Sequence, residues 1–372
     1  MATAFDVCIR GAGIVGRTLA LLLARERLRV GLVEQPPVDG SGHSDVRAYA
    51  LNPASRALLE TVRSWPDETH ATPVAAMQVH GDQGGAVTFN AVDQGVPALA
   101  WIVDVPALQQ KLGEALRYQP LVERLHAPEP ATLTVVCEGR ASATRAEFGV
   151  QFEFTSYRQR AIAARLTCES PHGMVARQWF SNGEIMALLP IGGSQAVAAG
   201  NSVALVWSVR EERADMLMGQ APGVFAAHVE KACGRELGTM TLSTERAAWP
   251  LQLARAGAWC GPGWALAGDA AHVVHPLAGQ GLNLGLADAK ALADVLRDRE
   301  YWRNVADLKL LRRYERSRKA DVLAMGATTD GLQQLFSQPQ VAWALMRNWG
   351  MRGFEHSGPV KQWAARRAMG RL

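Results

Sequence analysis

Cysteine is scarce in this sequence of 372 residues, and no two cysteines stand in a Cys-x-x-Cys spacing. The five cysteines are widely scattered, at Cys8, Cys137, Cys168, Cys233 and Cys260. An odd, dispersed set argues against both a disulfide framework and a zinc site. We therefore expect a protein of a reducing compartment that binds no metal.

Long hydrophobic runs are also missing. No uncharged apolar run approaches the roughly 20 residues that a membrane-spanning helix needs. The N-terminal stretch MATAFDVCIRGAG lacks the charged lead, apolar segment and cleavage site of a secretion signal. These absences predict a cytoplasmic protein, attached at most to the inner face of the membrane.

Charge of one sign is hardly in excess. The chain has 39 Lys and Arg against 35 Asp and Glu, a formal net charge of +4, without basic runs interleaved with aromatics over most of its length. Nucleic-acid binding is therefore not expected. The 48% hydrophobic content is enough for a large core in one or two globular domains.

The clearest pattern lies in FDVCIRGAGIVGRTLALLLARERLRVGLVEQ, residues 5–35. An apolar segment precedes Gly11, Gly13 and Gly16 in a G-x-G-x-x-G spacing; a helical pattern and a second apolar segment, ending at Glu34, follow. Such glycines permit a tight turn, close approach to a pyrophosphate and helix–strand packing, while the acid accepts hydrogen bonds from a ribose. The pattern predicts a Rossmann-like dinucleotide site without a 2'-phosphate.

The chain has only one such fingerprint. The glycine clusters at residues 192 and 261 lack the preceding strand and following helix. We expect one tightly bound nucleotide and, at most, a second that binds transiently.

A second glycine-rich stretch, LAGDAAHVVHPLAGQGLNLGLADAKAL, spans residues 266–292. Asp269 ends a predicted strand, where ligands bind in α/β sheets, although a simple turn or N-cap acid is the alternative. A helix predicted from near Gly281 would stabilise negative charge at its N-terminus. His272 and His275 have no third ligand nearby, so a metal is not expected.

This stretch resembles the second flavin motif of the para-hydroxybenzoate hydroxylase superfamily, and specifically of the ubiquinone-biosynthesis hydroxylase family of FAD-dependent aromatic monooxygenases. The likeness continues in DVRAYALNPASRALLE from Asp45, in ALLPIGG from Ala187 and in YERSRKADVLAMGATTDGLQQLF near the C-terminus. It implies an α/β fold, with a Rossmann-like FAD-binding domain, an inserted mixed β-sheet substrate domain and a helical C-terminus.

The resemblance also implies a division of the chain. The FAD-binding domain would be discontinuous, followed by a C-terminal basic helical segment. The expected ranges are 1–75, 100–150 and 255–330 for the FAD-binding domain, 76–99 and 151–254 for the substrate domain, and 331–372 for the segment.

Site residues follow from the resemblance position by position. The cofactor-binding residues would be Gly11, Gly13, Gly16, Glu34, Arg47, Asp269, Gly281, Leu282 and Asn283. A loop containing Pro276, Gly279, Gln280 and Gly281 would face the flavin ring, and no side chain is singled out as catalytic.

The implied activity is hydroxylation of an electron-rich aromatic ring in ubiquinone biosynthesis. NADH or NADPH would act as a transient reductant of FAD, and oxygen would react through a flavin hydroperoxide. Because the cofactor performs the difficult chemistry, no catalytic triad is required. The substrate would be an aromatic compound, and ubiquinone precursors carry polyprenyl chains; a small soluble phenol is the alternative.

A non-catalytic accessory role is a further alternative. The family's middle motif, A-D-G-x-x-S, is here CEGRAS, which places Glu138 and Gly139 at the Asp and Gly positions. The segment before this motif is also shorter than in the family.

The C-terminal segment is basic and aromatic. Its residues of these two types are Arg347, Arg352, Lys361, Arg366, Arg367 and Arg371, with Trp349, Phe354 and Trp363. Such a segment can contact a membrane surface or a biosynthetic complex, and a solvated helix is the alternative.

Overall fold

The computed structural model describes residues 4–34, 45–81, 84–192, 200–274, 280–337, 353, 355 and 357–370. Its helices are α1 (Ile14–Arg25), α2 (Pro53–Thr61), α3 (Val105–Arg117), α4 (Ala143–Glu147), α5 (Glu211–Gly219), α6 (Pro222–Ala232), α7 (Gln280–Arg297), α8 (Leu308–Ser337) and α9 (Pro359–Ala368).

The strands form three sheets. In chain order they are β1 (Phe5–Arg10), β2 (Val30–Val33), β3 (Ala48–Leu51), β4 (Ala71–Val74), β5 (Ala76–His80), β6 (Ala86–Asn90), β7 (Ala100–Asp104), β8 (Val122–Leu125), β9 (Ala131–Val136), β10 (Phe152–Cys168), β11 (Val175–Ser181), β12 (Glu184–Ile191), β13 (Ser202–Arg210), β14 (Met240–Leu242), β15 (Ala247–Ala256), β16 (Cys260–Gly261), β17 (Trp264–Leu266) and β18 (His272–Val273).

The first sheet, which we call the parallel sheet, has the order β16-β17-β9-β1-β2-β8. All neighbours pair in parallel except β16, which runs antiparallel to β17 at the edge. Its central strands are apolar on both faces, as a sheet covered by helices requires. Helices α1, α3 and α7 supply Leu19, Leu112 and Leu292 to the largest core cluster.

A short connection joins two distant strands of the parallel sheet. Residues 126–130 lead from β8 at one edge to β9, on the far side of β1 and β2. Phe5, Cys8, Val33 and Leu125 form a small separate cluster in this sheet. The sequence indicates a short segment before the middle motif. In the structure, this segment runs directly from one strand of the parallel sheet to another strand parallel to it.

The second sheet, the large mixed sheet, has the order β18-β15-β10-β13-β12-β11-β5-β6, and β14 also pairs with β10. Strand β11 pairs in parallel with β5, whereas the other pairs are antiparallel. Helices α5 and α6 bury one face of this sheet in a cluster that includes Trp207 and Phe225. The opposite face remains available for another layer.

A third, small sheet covers that opposite face. Strands β3, β7 and β4 pair antiparallel in the order β3-β7-β4. Val74, Ala100 and Ile102 of this sheet pack against Ala176 and Ala204 of the large mixed sheet. An ion pair of 2.6 Å between Arg165 Nη2 and Asp104 Oδ1 also joins the two layers.

The C-terminal helix α9 lies against the far edge of the large mixed sheet. Met369, just after the helix, packs against Ala91, Val96 and Leu99. The described helices include none that is both long and apolar enough to cross a membrane. The observed layers confirm the predicted fold class, an α/β fold with a mixed sheet inserted in the chain.

Candidate functional site

The turn between β1 and α1 is built by glycines that serve different physical needs. Gly11 has φ +112°, and a Cβ there would lie 2.5 Å from the carbonyl oxygen of Cys137. A Cβ on Gly16 would lie 2.0 Å from the carbonyl oxygen of Gly11. Around Gly13, by contrast, the part of the chain that the structure describes places no atom within 4 Å of an added Cβ. The loop is thus tight on its inner side and open at Gly13.

The N-terminus of α1 opens into this space. Gly13 is the N-cap residue and supplies no side-chain hydrogen bond, and no acid lies in the first turn. Backbone N–H groups at a helix start attract anions, and the helix dipole adds to the effect. The geometry therefore suits a phosphate beside Gly13.

Glu34, directly after β2, lies at the same end of the parallel sheet. Its Oε1 accepts a hydrogen bond of 2.6 Å from Arg17 Nη2, while Arg124 Nη1 lies 3.7 Å from Oε2. Arg17 also donates to the carbonyl oxygen of Ala12 at 2.7 Å. Arg17 therefore ties the glycine turn to Glu34. The charged residue directly after the last glycine, at the start of an otherwise apolar helix, is the sequence signal for this role.

Asp269 lies in a short 3-10 turn, Gly268–Ala270, beyond the end of β17. Its side chain is exposed, and its carboxylate makes no hydrogen bond among the described residues. Protein nevertheless surrounds the carboxylate on most sides, and this burial raises the pKa of Asp269. The nearby charges of His272, Arg140 and Arg47 lower the pKa, but by less than burial raises it. A crowded carboxylate that still reaches solvent lies in a cleft and is available to a ligand.

A buried charge network holds the turn of Asp269 in place. Asp288 of α7 is fully buried and accepts hydrogen bonds from Gly268 N at 2.9 Å and Arg318 Nε at 2.7 Å. His272 Nε2 lies 2.6 Å from the same carboxylate. Burial raises the pKa of Asp288, but His272 and Arg318 outweigh burial, so the pKa is lowered.

The start of α7 lies next to this turn. Helix α7 begins at Gln280, and an added Cβ at Gly281 would meet no atom of the described residues within 4 Å. Leu282 is half-buried and packs against the main core cluster. Pro276 and Gly279, which the resemblance places at the flavin ring, lie outside the described residues, as does His275.

Asn283 is held by protein contacts. Its Oδ1 accepts hydrogen bonds from Ser55 Oγ at 2.7 Å and Asn52 N at 3.0 Å, and its Nδ2 donates to the carbonyl oxygen of Ala50 at 2.8 Å. These bonds fasten α7 to the segment between β3 and α2. Because these bonds engage the side chain of Asn283, a cofactor would contact this residue through its backbone.

Arg47 approaches the cleft from the segment before β3. Its Nη2 lies 2.6 Å from Asp45 Oδ2 and its Nε lies 2.8 Å from Oδ1. Burial raises the pKa of Asp45, but the hydrogen bonds from Arg47 outweigh it and lower that pKa. The hydrogen bonds that Arg47 donates to Asp45 likewise raise the pKa of Arg47. Arg47 is thus a fixed cation near Asp269.

The middle motif has a structural use here. Glu138 accepts hydrogen bonds from Ser142 Oγ at 2.7 Å and Thr144 Oγ1 at 2.6 Å, at the start of α4. Arg10 Nε lies 3.2 Å from Glu138 Oε1, and its Nη1 bonds Glu147 at 2.9 Å. Burial raises the pKa of Glu138, but these hydrogen bonds lower it overall. Arg10, which stands directly before the first glycine of the turn, and Glu138 of the middle motif are therefore partners.

A pocket of about 110 Å³ lies between the small sheet and the large mixed sheet. Arg47 and Tyr49 line it on the side of Asp269, and its walls are mostly alanine, valine and leucine side chains. An apolar cavity of ~150 Å³ is known to hold benzene, so this volume is of the size of a single ring. The pocket thus begins where the charged cleft ends.

Four aromatic residues of the large mixed sheet could line a pocket or simply fill the core. Trp249 lines the pocket. Trp207 is buried in the cluster under α5 and α6, where Trp179 also packs. Phe180 is buried as well. The sheet therefore presents Trp249 to the pocket and uses the other three in packing.

The comparisons with known proteins identify the group to which this architecture belongs. The family described as "FAD binding domain" matches residues 123–328. The chain is 30% identical over 393 residues to the 3-demethoxyubiquinol 3-hydroxylase of Escherichia coli (strain K12), covering 98% of each protein. It is 31% identical over 396 residues to the ubiquinone hydroxylase UbiL of Rhodospirillum rubrum, covering 99% of this chain and 90% of that one.

A solved structure shares the fold. The crystal structure of the p-nitrophenol 4-monooxygenase PnpA from Pseudomonas putida DLL-E4 superposes with a TM-score of 0.74 at 17% identity. The match covers 98% of this chain and 97% of that chain. At this identity the likeness concerns the arrangement of the elements.

Proposed function

Since the chain belongs to the ubiquinone-biosynthesis hydroxylase family of FAD-dependent aromatic monooxygenases, we propose that it hydroxylates the aromatic ring of a ubiquinone precursor. It is an oxidoreductase that uses FAD, oxygen and an aromatic substrate. The observation that carries the proposal is the free carboxylate of Asp269, at the junction of the nucleotide turn, the start of α7 and an apolar pocket.

The described residues fit FAD in shape and charge. The open space at Gly13 suits the pyrophosphate, because the start of α1 offers N–H groups and no acid. Glu34 suits a ribose hydroxyl and would share its carboxylate with Arg17. The free carboxylate of Asp269 suits the hydroxyls of the ribityl chain, and the open start of α7 at Gly281 suits the electron-rich edge of the ring.

FAD, when bound, accepts electrons from NADH or NADPH and activates oxygen. This chain's residues supply position and charge. The start of α7 stabilises negative charge beside Gln280 and Gly281, and the cation of Arg47 adds to it. The apolar pocket walls keep water away from the substrate.

We propose that NADH or NADPH binds only transiently. The sequence carries a single dinucleotide fingerprint, at Gly11, Gly13 and Gly16. A second tightly held nucleotide would require a second turn of this kind.

We further propose that the layers divide the work. Residues 1–75, 100–150 and 255–330 would hold FAD, and residues 76–99 and 151–254 would hold the substrate. The parallel sheet, with its glycine turn, supports the first assignment, and the pocket on the large mixed sheet supports the second.

A direct test uses the purified protein with NADH or NADPH, oxygen labelled with ¹⁸O and 2-methoxyphenol as a simple ring substrate. We expect oxidation of the nicotinamide to depend on the phenol and one ¹⁸O atom to enter the product. FAD-loaded protein that reduces no oxygen and yields no labelled product with a ubiquinone precursor either would favour the accessory role.

For location, we propose a cytoplasmic enzyme that contacts the inner face of the membrane through residues 331–372. Trp363 and Arg366 of α9 are exposed, whereas Lys361 is paired with Glu355 at 2.8 Å. Arg347, Arg352 and Arg371 lie outside the described residues. We expect the protein to sediment with vesicles containing anionic lipid and to be released by salt, and Arg366→Glu to weaken this sedimentation.

A further inference from the structure

The floor of the pocket is formed by one face of the large mixed sheet, and its residues stand in register across the strands. Ser208 of β13 lies opposite Ala161 on one side and Ile185 on the other. In the neighbouring row, Gln178 of β11 lies opposite Ala187 of β12. Ser208 and Gln178 both line the pocket, on strands separated by β12.

These two side chains interrupt an otherwise apolar floor. Ser208 is 3% exposed and Gln178 is half-buried. Neither the Ser208 hydroxyl nor the Gln178 amide has a hydrogen-bond partner within the part of the chain that the structure describes. Neither group is among the fully buried side-chain atoms without a partner in the described part of the chain, so both are accessible from the pocket to a ligand or water.

Other polar residues of the lining are already engaged. Arg47 is held by Asp45, as described above. Arg177 donates to the carbonyl oxygen of His172 at 3.0 Å and pairs with Glu236 at 3.3 Å. Tyr49 and Trp249 also line the pocket, from β3 and β15. On the adjacent floor strands β11, β12 and β13, the hydrogen-bonding capacity that remains for a ligand therefore lies at Ser208 and Gln178.

We propose that Ser208 and Gln178 are specificity-determining residues, which hydrogen-bond two oxygen substituents of the aromatic ring while the alanine floor accepts its flat face. Adjacent strands lie ~4.8 Å apart and residues rise ~3.3 Å along a strand, so two residues two strands apart in neighbouring rows are roughly 12 Å apart along the floor, and the longer Gln side chain shortens this gap. One ring between them meets each residue at a different edge. This inference rests on the proposed function. It predicts that the pocket binds rings with two oxygen substituents more tightly than hydrocarbon rings without oxygen.

The test measures binding to the FAD-loaded protein by calorimetry, with 4-methoxyphenol, whose two oxygens lie at opposite edges of the ring, and with phenol and toluene as probes. We expect the wild type to prefer 4-methoxyphenol to toluene by at least about 10-fold, because each of its two oxygens gains one hydrogen bond. Ser208→Ala and Gln178→Leu should each reduce this preference by about 2- to 10-fold, and should leave toluene affinity unchanged.

The matched control is Ser202→Ala, on the same strand as Ser208 but outside the pocket lining. Its probe preference should equal that of the wild type. Unchanged toluene affinity and thermal unfolding show that a variant has kept its pocket, and Gln178→Asn provides a milder second variant if Gln178→Leu is unstable.

The outcomes separate this inference from the proposed function. If folded Ser208→Ala and Gln178→Leu proteins keep the wild-type preference, the inference is wrong, although FAD content and ring hydroxylation can stand. If the protein takes up no FAD but the variants still alter probe binding to the unloaded chain, the function is wrong and the pocket assignment stands.

Discussion

Gly13 is the residue at which the nucleotide site is most open, and a charge there tests the first motif. Gly13→Asp would place a carboxylate beside the pyrophosphate, and no atom among the described residues lies within 4 Å of an added Cβ. We expect loss of bound FAD with little change in thermal unfolding, since like charges repel strongly in a cleft. FAD absorbance of the purified variant is the measurement.

The matched control for this variant is Gly223→Asp. Gly223 also stands in open space near the start of a helix, α6, which packs on the large mixed sheet far from the nucleotide turn in the chain. That variant should keep its FAD. Normal FAD content in Gly13→Asp would refute the assignment of the first motif.

Asp288 is the residue at which a small change should cost the most stability. Asp288→Asn removes the buried carboxylate that contacts both Arg318 and His272, and leaves Arg318 only its pair with the exposed Asp321. Removing one partner of a buried pair costs about 3–5 kcal/mol. Urea unfolding measures this loss. Asp294→Asn, which alters an exposed pair on the same helix, should cost less than about 1 kcal/mol.

The effect of Asp288→Asn should depend on pH. The folded-state pKa of Asp288 lies below its ordinary value of 3.8, so its contribution is complete above that pH and is lost as the pH falls through the folded-state pKa. The difference in unfolding free energy between wild type and variant should therefore shrink in acid. If wild type and Asp288→Asn differed in unfolding free energy by the same amount at pH 7 and in strong acid, the pKa of Asp288 would not be lowered in the folded state.

At the level of residues, the sequence could predict those with a regular spacing. Gly11, Gly13 and Gly16 were accessible because their spacing reflects local backbone geometry. Arg17 and Asp288 were not singled out, because their partners, Glu34 and Arg318, come from other parts of the chain. Glu138 was noticed only as a departure, because its partner Arg10 lies on a strand that is distant in sequence.

Among the elements, α1 depends on its close contact with the glycine turn. Gly16→Ala places a methyl group 2.0 Å from the carbonyl oxygen of Gly11, and a backbone atom cannot rotate away. We expect a loss of about 1–3 kcal/mol or more, measured by thermal or urea unfolding. Gly13→Ala should change stability by less than about 1 kcal/mol, because Gly13 is extended, at φ −74° and ψ −176°, and has open space.

This pair of substitutions separates packing from binding. Gly13→Ala should lower FAD affinity more than it lowers stability, since its methyl group points into the space left for the cofactor. If Gly16→Ala were as stable as Gly13→Ala, the close contact of α1 with the turn would be wrong.

Elements were predictable where one local pattern determines them. The β1, α1 and β2 unit follows from apolar runs and helical periodicity in one continuous stretch. The short crossing at residues 126–130 and the separate small sheet of β3, β7 and β4 were not predicted. These features depend on which distant strands pair, and periodicity carries no information about pairing partners.

For the whole molecule, the site arises only when separate layers meet. Asp269 comes from the end of the parallel sheet, Arg47 from the segment before the small sheet, and Ser208 from the large mixed sheet. The sequence motifs indicated the cofactor half of this site. The pocket could not be located from sequence, because its walls combine alternating residues of strands that are far apart in the chain.

The flavin content of the purified protein tests the central claim most directly. The visible absorption spectrum, with identification of the flavin released on denaturation, gives the ratio of FAD to protein. We predict one FAD per chain, held by the glycine turn, Asp269 and the start of α7. Colourless protein that takes up no added FAD would contradict the account.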